Sequence, residues 1–236
     1  MCANTSQRRV AISASACLLS AVVAIANAVT AQGTHPVSGR AIARVMGHEG
    51  ADWLDRPERL EEEQPERALD AINIAPGAAV ADVGAGTGYF TVRLSRRVGD
   101  KGRVYATDIQ REMLARLDRR LKAENIGNVE LVQGTEDDPA LAPQSVDLVL
   151  MVDVYHELAR PQQVLRRLRT ALRSGGRLVL IEYRKEDPSV PIRLEHKMSV
   201  KEARQELEAE GFVLARQSDV LPRQHILIFQ PMAAAR

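Results

Sequence analysis

Cysteine is nearly absent from this chain: 236 residues hold two, Cys2 and Cys17. Everything after Cys17 is thiol-free, which excludes a disulfide framework, a cysteine-zinc site and a thiol nucleophile from the bulk of the protein. Aromatic residues make up only 3%, with one tryptophan, too few for the stacking platform of a single-strand nucleic-acid binder. Excess charge is missing too. Lys plus Arg number 32 against 31 Asp plus Glu, a net +1, so bulk charge predicts no nucleic-acid partner. There is no internal repeat and no low-complexity tract.

Acidic residues are missing altogether from positions 1–31. There Arg8 and Arg9 precede the small and apolar run VAISASACLLSAVVAIA, which is followed by ANA (26–28) and VTA (29–31). A basic start, an apolar stretch and small-x-small ends are the parts of a secretory signal peptide, cut after Ala31 or after Ala28. The other reading is an uncleaved membrane anchor, since the stretch is nearly long enough to span. Export to the periplasm or beyond is expected, with membrane association only through an uncleaved N-terminus. Cleavage would remove both cysteines and both arginines and leave a net charge of −1. The paired arginines of SQRRVAI fit a twin-arginine signal only loosely.

What is present falls into two parts. Residues 32–57 are mixed and turn-rich and read as an arm or lid, with a polar set that includes His35, Arg40, His48, Trp53 and Arg56. Residues 58–236 read as the main domain. A first helix, PERLEEEQPERALDAINI, should be interrupted at Pro65, because an interior proline loses a hydrogen bond and clashes with the previous turn. Its acid run, Glu61 to Glu63, reads as a solvated face. Apolar runs at 78–84, 102–109, 128–134, 145–155, 177–183, 213–220 and 224–230 predict strands. Periodic segments at 88–99, 111–125, 161–176 and 199–212 predict helices. The strand runs show little alternation, as expected when both faces are covered. The LPRQ link before the last run is too short for a crossover, so that strand should return antiparallel. The expected fold is α/β: a Rossmann-like, doubly wound sheet of seven mostly parallel strands with an antiparallel last strand and helices on both faces.

Between the first strand and the second helix lies VADVGAGTGYF, 80–90, with Gly84, Gly86 and Gly88 at alternate positions. In open α/β sheets ligands sit at the carboxyl ends of the strands, where this loop falls. The dinucleotide fingerprint G-x-G-x-x-G fails at its third glycine, which is Tyr89, and no Gly-Lys-Ser/Thr follows as a P-loop requires. The next strand ends in Asp108, a carboxylate placed to accept both hydrogen bonds of a ribose diol. The ligand expected is therefore a nucleoside with an unphosphorylated ribose.

On these residues the chain resembles the class I S-adenosylmethionine-dependent methyltransferases, over roughly 60–230. VADVGAGTGYF matches the family's first motif, VYATDI its acidic ribose motif, and LRSGGRLVLIEY its fifth-strand region. The resemblance implies S-adenosylmethionine as cofactor, with Gly84, Gly86 and Gly88 near the methionine end and Asp82 organising the loop near the amino group. It implies Asp108 on the ribose hydroxyls and Ile109 against the adenine. Asp153, at the end of the fourth strand, is counted with the cofactor residues. Thr135 stands where the family often has an acid near the adenine amino group, so that contact passes to Glu136 or Asp137.

The acceptor side should lie beyond the fourth and fifth strands, whose ends read MVDVYHEL and IEYRKEDPSVPIRLEHKM. His156 is the first choice for a base, because its ordinary pKa lies near neutrality, with Tyr155 and Glu182 as further catalytic candidates. Glu182 could instead pair with Arg184. His48, Trp53, Arg184 and His196 are candidate substrate contacts. Trp53 could cover a ligand or simply staple the arm to the core. His156, Glu157, Glu182 and His196 are residue types that suit zinc or iron, but their spacing matches no compact ligand motif, and no metal is expected. Beyond residue 31 the chain lacks the thiols that arsenite methylation needs, and there is no Asn-Pro-Pro-Tyr type of motif after the fourth strand. A small-molecule acceptor remains. Two other classes stand beside this reading. One is a non-catalytic protein of the same fold that binds the nucleoside. The other is a nicotinamide oxidoreductase, against which Tyr89 argues.

Overall fold

The computed structural model describes Met1 and residues 31–233. The signal or anchor expectation for 1–31 falls on positions that lie, but for the first and last, outside the described residues. Among the described residues no helix is long and apolar enough to cross a membrane.

The chain begins with an antiparallel pair, β1 (Ala31–Thr34) and β2 (Ala41–Ala43), then a short helix α1 (Ala51–Leu54). The expected interruption at Pro65 is present. Helix α2 (Arg59–Glu63) stops at Gln64, whose φ of 45° is left-handed, and α3 (Pro65–Ile72) restarts with the proline at its first turn, where no N–H is missed. From there strands and helices alternate: β3 (Ala79–Val83), α4 (Tyr89–Val98), β4 (Arg103–Asp108), α5 (Arg111–Ala123), β5 (Val129–Gln133), β6 (Val146–Val152), α6 (Pro161–Ala171), β7 (Leu172–Tyr183), α7 (Val200–Ala209), β8 (Phe212–Ser218) and β9 (Gln224–Pro231).

The seven-stranded sheet runs β5-β4-β3-β6-β7-β9-β8. Pairs from β5 to β7 are parallel, and β9 is antiparallel to both of its neighbours. β7 and β9 explain the unbroken apolar runs. Leu178 and Leu180 face one cluster while Val179 and Ile181 face the other, and Leu227 and Phe229 alternate likewise with Ile226 and Ile228. Helices α3, α4 and α5 cover one face, α6 and α7 the other. Each fully buried leucine of these interfaces, such as Leu165 and Leu168, contributes about 2 kcal/mol. The order reverses between β3 and β6, which opens a crevice at their carboxyl ends.

Three expectations are corrected. The helix predicted over 161–176 ends at Ala171, and Leu172 turns extended to pair with Val146. Gly175, at φ 77°, and Gly176 cost a helix about 1 kcal/mol each, and burial of Leu172 on the sheet gains more. The acid run of α2 is not wholly solvated: Glu63 is buried against Arg59, 2.7 Å away. Nor is the arm a mere lid. Its hairpin buries Arg40, which donates to the equally buried Glu206 of α7 at 2.8 and 3.1 Å.

Candidate functional site

β3 delivers the glycine loop into the crevice. Gly84 and Gly88 have φ values of 75° and 86°, open to glycine and costly for other residues. Space demands glycine as well. A Cβ on Gly84 would sit 2.5 Å from Val154, and one on Gly88 2.2 Å from Leu117. The backbone bends this tightly because Asp108 receives it: the Gly86 N–H donates to the Asp108 carboxylate at 2.9 Å, and the Gln110 N–H donates at 2.8 Å. Burial raises the Asp108 pKa, and these backbone donors oppose the rise. Asp82 accepts from the Thr91 hydroxyl at 2.6 Å. Burial pushes its pKa to about 6, with Asp108 adding to the rise.

Above the loop lies a cavity of about 530 Å3. Asp82, Gly86 and Asp108 line it from β3, its glycine loop and the tip of β4, which form the glycine-loop end, and His156, Glu157 and His196 line it from segments beyond β6 and β7, which form the histidine end. Met46, Trp53 and Leu54 of the arm form part of its wall. Three buried polar atoms along it have no hydrogen-bond partner: Thr87 Oγ1, the Tyr89 hydroxyl and Asp153 Oδ1. Such atoms are rare in a folded interior and mark where a ligand's polar groups would go. Asp153 is also backbone-strained, at φ 53°, and its other oxygen accepts from Gln224 Nε2 at 2.7 Å. Burial, with Glu63 and Glu182 nearby, raises its pKa.

The histidine end is built on two short 3₁₀ turns, Tyr155–Glu157 and Leu194–His196. In the first, successive side chains diverge. Tyr155 enters the core, His156 turns onto β7, and Glu157 faces the cavity. Glu182 of β7 fixes this turn twice, accepting from the Tyr155 backbone N–H at 2.9 Å and from His156 Nδ1 at 2.6 Å. A carboxylate only accepts, so Nδ1 carries the proton and Nε2 is left toward the cavity. That Nε2 lies 3.1 Å from His196 Nδ1. Glu157 Oε1 lies 3.8 Å from the first nitrogen and 3.6 Å from the second. Burial works against a charge on His156, but Glu182 and Glu157 outweigh it and the pKa rises. Burial and His156 together lower that of His196. Burial lifts Glu157 to about 7.

The cavity thus gathers Asp82, Gly84, Gly86, Asp108, Asp153, His156, His196 and Trp53 of the expected residues. Gly88 shapes the loop from behind. Ile109 lines a smaller adjoining cavity with Gly134 and Thr135, whereas Glu136 and Asp137 are exposed and line neither. Tyr155 faces away from the cavity, fully buried, with the Arg40 guanidinium 5.4 Å from its ring centroid. Glu182 does not line the cavity and pairs with His156, not with Arg184. The Arg184 guanidinium instead donates to the carbonyls of Leu221, Pro222 and Gln224. His48 stays beside Glu49, outside the lining. Sequence reasoning missed Thr87, Tyr89 and Tyr183 as wall residues. Tyr89 had a signal, its place right after Gly88, whereas Tyr183 arrives from a remote strand end. Arg59 also lines the cavity and packs its guanidinium 4.1 Å from the Tyr89 ring centroid.

Comparison with known proteins agrees with this geometry. A family described as a methyltransferase domain matches residues 80–176. The solved structure of a SAM-dependent methyltransferase from Aquifex aeolicus is similar at a TM-score of 0.74 and 30% identity, over 78% of this chain and 98% of that one. A putative type 11 methyltransferase from Sulfolobus solfataricus shares the fold, with a TM-score of 0.61 and 21% identity over 74% of this chain and 96% of that one. Among curated proteins, the ubiquinone/menaquinone biosynthesis C-methyltransferase UbiE of Hahella chejuensis is 34% identical over 125 residues, 52% of this chain and 49% of the relative. The chain spans about half the length of the curated relatives it matches.

Proposed function

This chain belongs to the S-adenosylmethionine-dependent methyltransferase family, and we propose that it methylates a small organic acceptor held at the histidine end of the cavity. The observation that carries the reading is the continuity of one cavity from Asp108 to His156. Its size is within the range for a ligand of this kind, and the unpartnered Thr87 and Asp153 oxygens along it suit a polar ligand. Asp108 would hold the ribose hydroxyls, Asp82 would face the amino end, and Ile109 would lie against the base. When bound, the cofactor supplies a methyl group on a positively charged sulfur, open to in-line displacement.

The chain's own residues do the rest. The left-handed glycines let backbone N–H groups approach the ligand where side chains would block it. Met46, Trp53 and Leu54 exclude water from above. The corner of His156, Glu157 and His196 holds the nucleophilic atom of the acceptor and takes its proton, with Glu182 fixing the His156 ring. Tyr155 and Glu182 act as positioning residues. The lining favours a mainly apolar acceptor with an ionisable oxygen. The UbiE relatives, named for quinone biosynthesis, make hydroxylated aromatics the first compounds to try. The segment 1–31 supports export or anchoring, and fractionation of cells producing the full chain tests that.

The decisive experiment is calorimetric titration of the full chain with S-adenosylmethionine and S-adenosylhomocysteine, followed by transfer of labelled methyl groups to a hydroxylated-aromatic panel. Micromolar binding and a labelled product are expected. Binding without transfer to any acceptor would favour a non-catalytic nucleoside-binding protein, and no binding by folded protein would overturn the reading.

A further inference from the structure

We propose that His156, Glu157 and His196 form a three-ligand site for a divalent first-row transition metal, with its open position toward the acceptor. The ligand atoms are His156 Nε2, His196 Nδ1 and one Glu157 carboxylate oxygen, all within 4.8 Å of one another. The three edges of their triangle are 3.1, 3.6 and 3.8 Å. Metal–nitrogen and metal–oxygen bonds of about 2.1 Å at tetrahedral angles put donors about 3.4 Å apart. The triangle needs only small side-chain adjustments to take the ion.

Support behind the ligands points the same way. A metal-bound imidazole characteristically donates its other N–H to a carboxylate, which fixes the ring and raises its basicity. His156 makes that bond to Glu182 at 2.6 Å, and Glu182 is fully buried and held in turn by the Tyr155 N–H. With the proton on Nδ1, the lone pair of Nε2 is left free beside His196 Nδ1. Without an ion, the two facing ring nitrogens can share one proton at most, and the Glu157 oxygen stands beyond hydrogen-bond length from both. An ion uses all three donors at once.

The donor set also selects the metal. Two imidazoles and one carboxylate suit zinc, iron(II), cobalt(II) or manganese(II), whereas magnesium and calcium take all-oxygen shells. All three residues line the main cavity, so the remaining coordination position can take an acceptor oxygen. A metal there would orient the acceptor and make its hydroxyl easier to deprotonate, and with both imidazole nitrogens on the ion the second Glu157 oxygen would take the proton. That use rests on the proposed methyl transfer; metal binding itself does not. Sequence spacing hid the site, because His196 lies 40 residues beyond His156.

The test uses the full chain without an affinity tag, treated with chelator and then titrated with Co2+ and Zn2+. The visible absorption of Co2+ and calorimetry read occupancy. One equivalent is expected, with Zn2+ displacing Co2+ and Mg2+ failing to compete. His196→Ala and Glu157→Gln should each weaken binding at least a hundredfold; the His196 side chain is 30% exposed, and the denaturant midpoint of each variant checks that it folds. Glu182→Gln should weaken binding tenfold to a hundredfold, as loss of a supporting carboxylate does. Absence of stoichiometric binding, or equal affinity in the wild type and His196→Ala, would overturn the proposal. Titration of the same protein with S-adenosylhomocysteine separates the two readings: nucleoside binding without metal binding sinks the metal site alone, and the converse sinks the methyltransferase reading alone.

Discussion

At the glycine-loop end of the cavity, the shaping groups come from two short stretches, 82–91 and 108–110, and the contacts that set it join residues no more than 22 apart in sequence. At the histidine end they come from the arm, two 3₁₀ turns and β7, joined by side-chain pairs 26 to 166 residues apart in sequence. The first end is written locally, in residue types that permit one backbone path. The second exists only after the chain has folded and its buried charges have met. Damage should therefore stay local at the loop end and spread at the histidine end.

The largest test of that contrast is Glu206→Gln. Glu206 is fully buried and accepts from Arg40 at 2.8 Å, while Arg40 Nη1 reaches the His156 carbonyl at 3.1 Å. Removing the carboxylate charge leaves a buried guanidinium without its counter-ion, which costs about 3–5 kcal/mol. Denaturant unfolding should show that loss, while S-adenosylhomocysteine affinity of the folded protein stays within about threefold, because no group at the loop end is touched. A stability loss below about 1 kcal/mol would mean that the hairpin is only a loose lid.

Next comes Asp108→Ala. Two backbone N–H groups lose their acceptor, and a ribose diol would lose its partner. Charge-assisted hydrogen bonds contribute about 1.5–3 kcal/mol each, so the dissociation constant for S-adenosylmethionine should rise about a hundredfold. Calorimetry checks this. Equal affinity in the variant would remove Asp108 from the ligand and blur the contrast.

The same contrast explains what the sequence could reveal. The sheet, its antiparallel last strand and the break at Pro65 were legible because periodicity, link length and proline act within a few residues. Gly84, Gly86, Gly88, Asp82 and Asp108 were legible for the same reason. His156 and His196 could be named from their place beyond strand ends, but their meeting could not. Tyr155 was misassigned because a 3₁₀ turn sends neighbouring side chains in different directions, which no strand count predicts. Arg184 and Glu182 looked like partners two residues apart, since strand alternation puts residues i and i+2 on one face, yet β7 ends at Tyr183 and each found a distant partner instead. Leu172 to Gly176 looked helical until the pairing with Val146 overrode local preference.

A smaller effect sharpens the loop end by pH. Asp82 has its pKa pushed to about 6 by burial, above the ordinary carboxylate value of about 4. A raised carboxylate favours the neutral form in the fold, so its contribution to stability is present below pH of about 4 and is lost as pH rises through about 6. Ligand binding should run the other way. The positively charged amino group of S-adenosylmethionine favours ionised Asp82, so affinity should rise up to about tenfold between pH 5 and 7. Asp82→Asn should flatten that rise. A slope that survives in the variant would assign it to another group.

The smallest expected effect concerns Trp53 of the arm. The residue is 48% exposed and lines the cavity, and the Arg56 guanidinium lies 3.7 Å from its ring centroid. If it stapled the arm to the core, Trp53→Ala would lose several kcal/mol, as truncation of a buried aromatic does. An exposed cation–π pair contributes only about 0.5–1 kcal/mol, and with the residue about half exposed the stability loss should not exceed that. The ring should instead report occupancy. It is the chain's single tryptophan, so the emission of the whole protein is its emission, and addition of S-adenosylhomocysteine should shift it toward the blue as the ligand displaces water beneath the ring. A large stability loss with no spectral shift would make Trp53 part of the arm's anchorage, and the histidine end would then begin at the rim of the cavity.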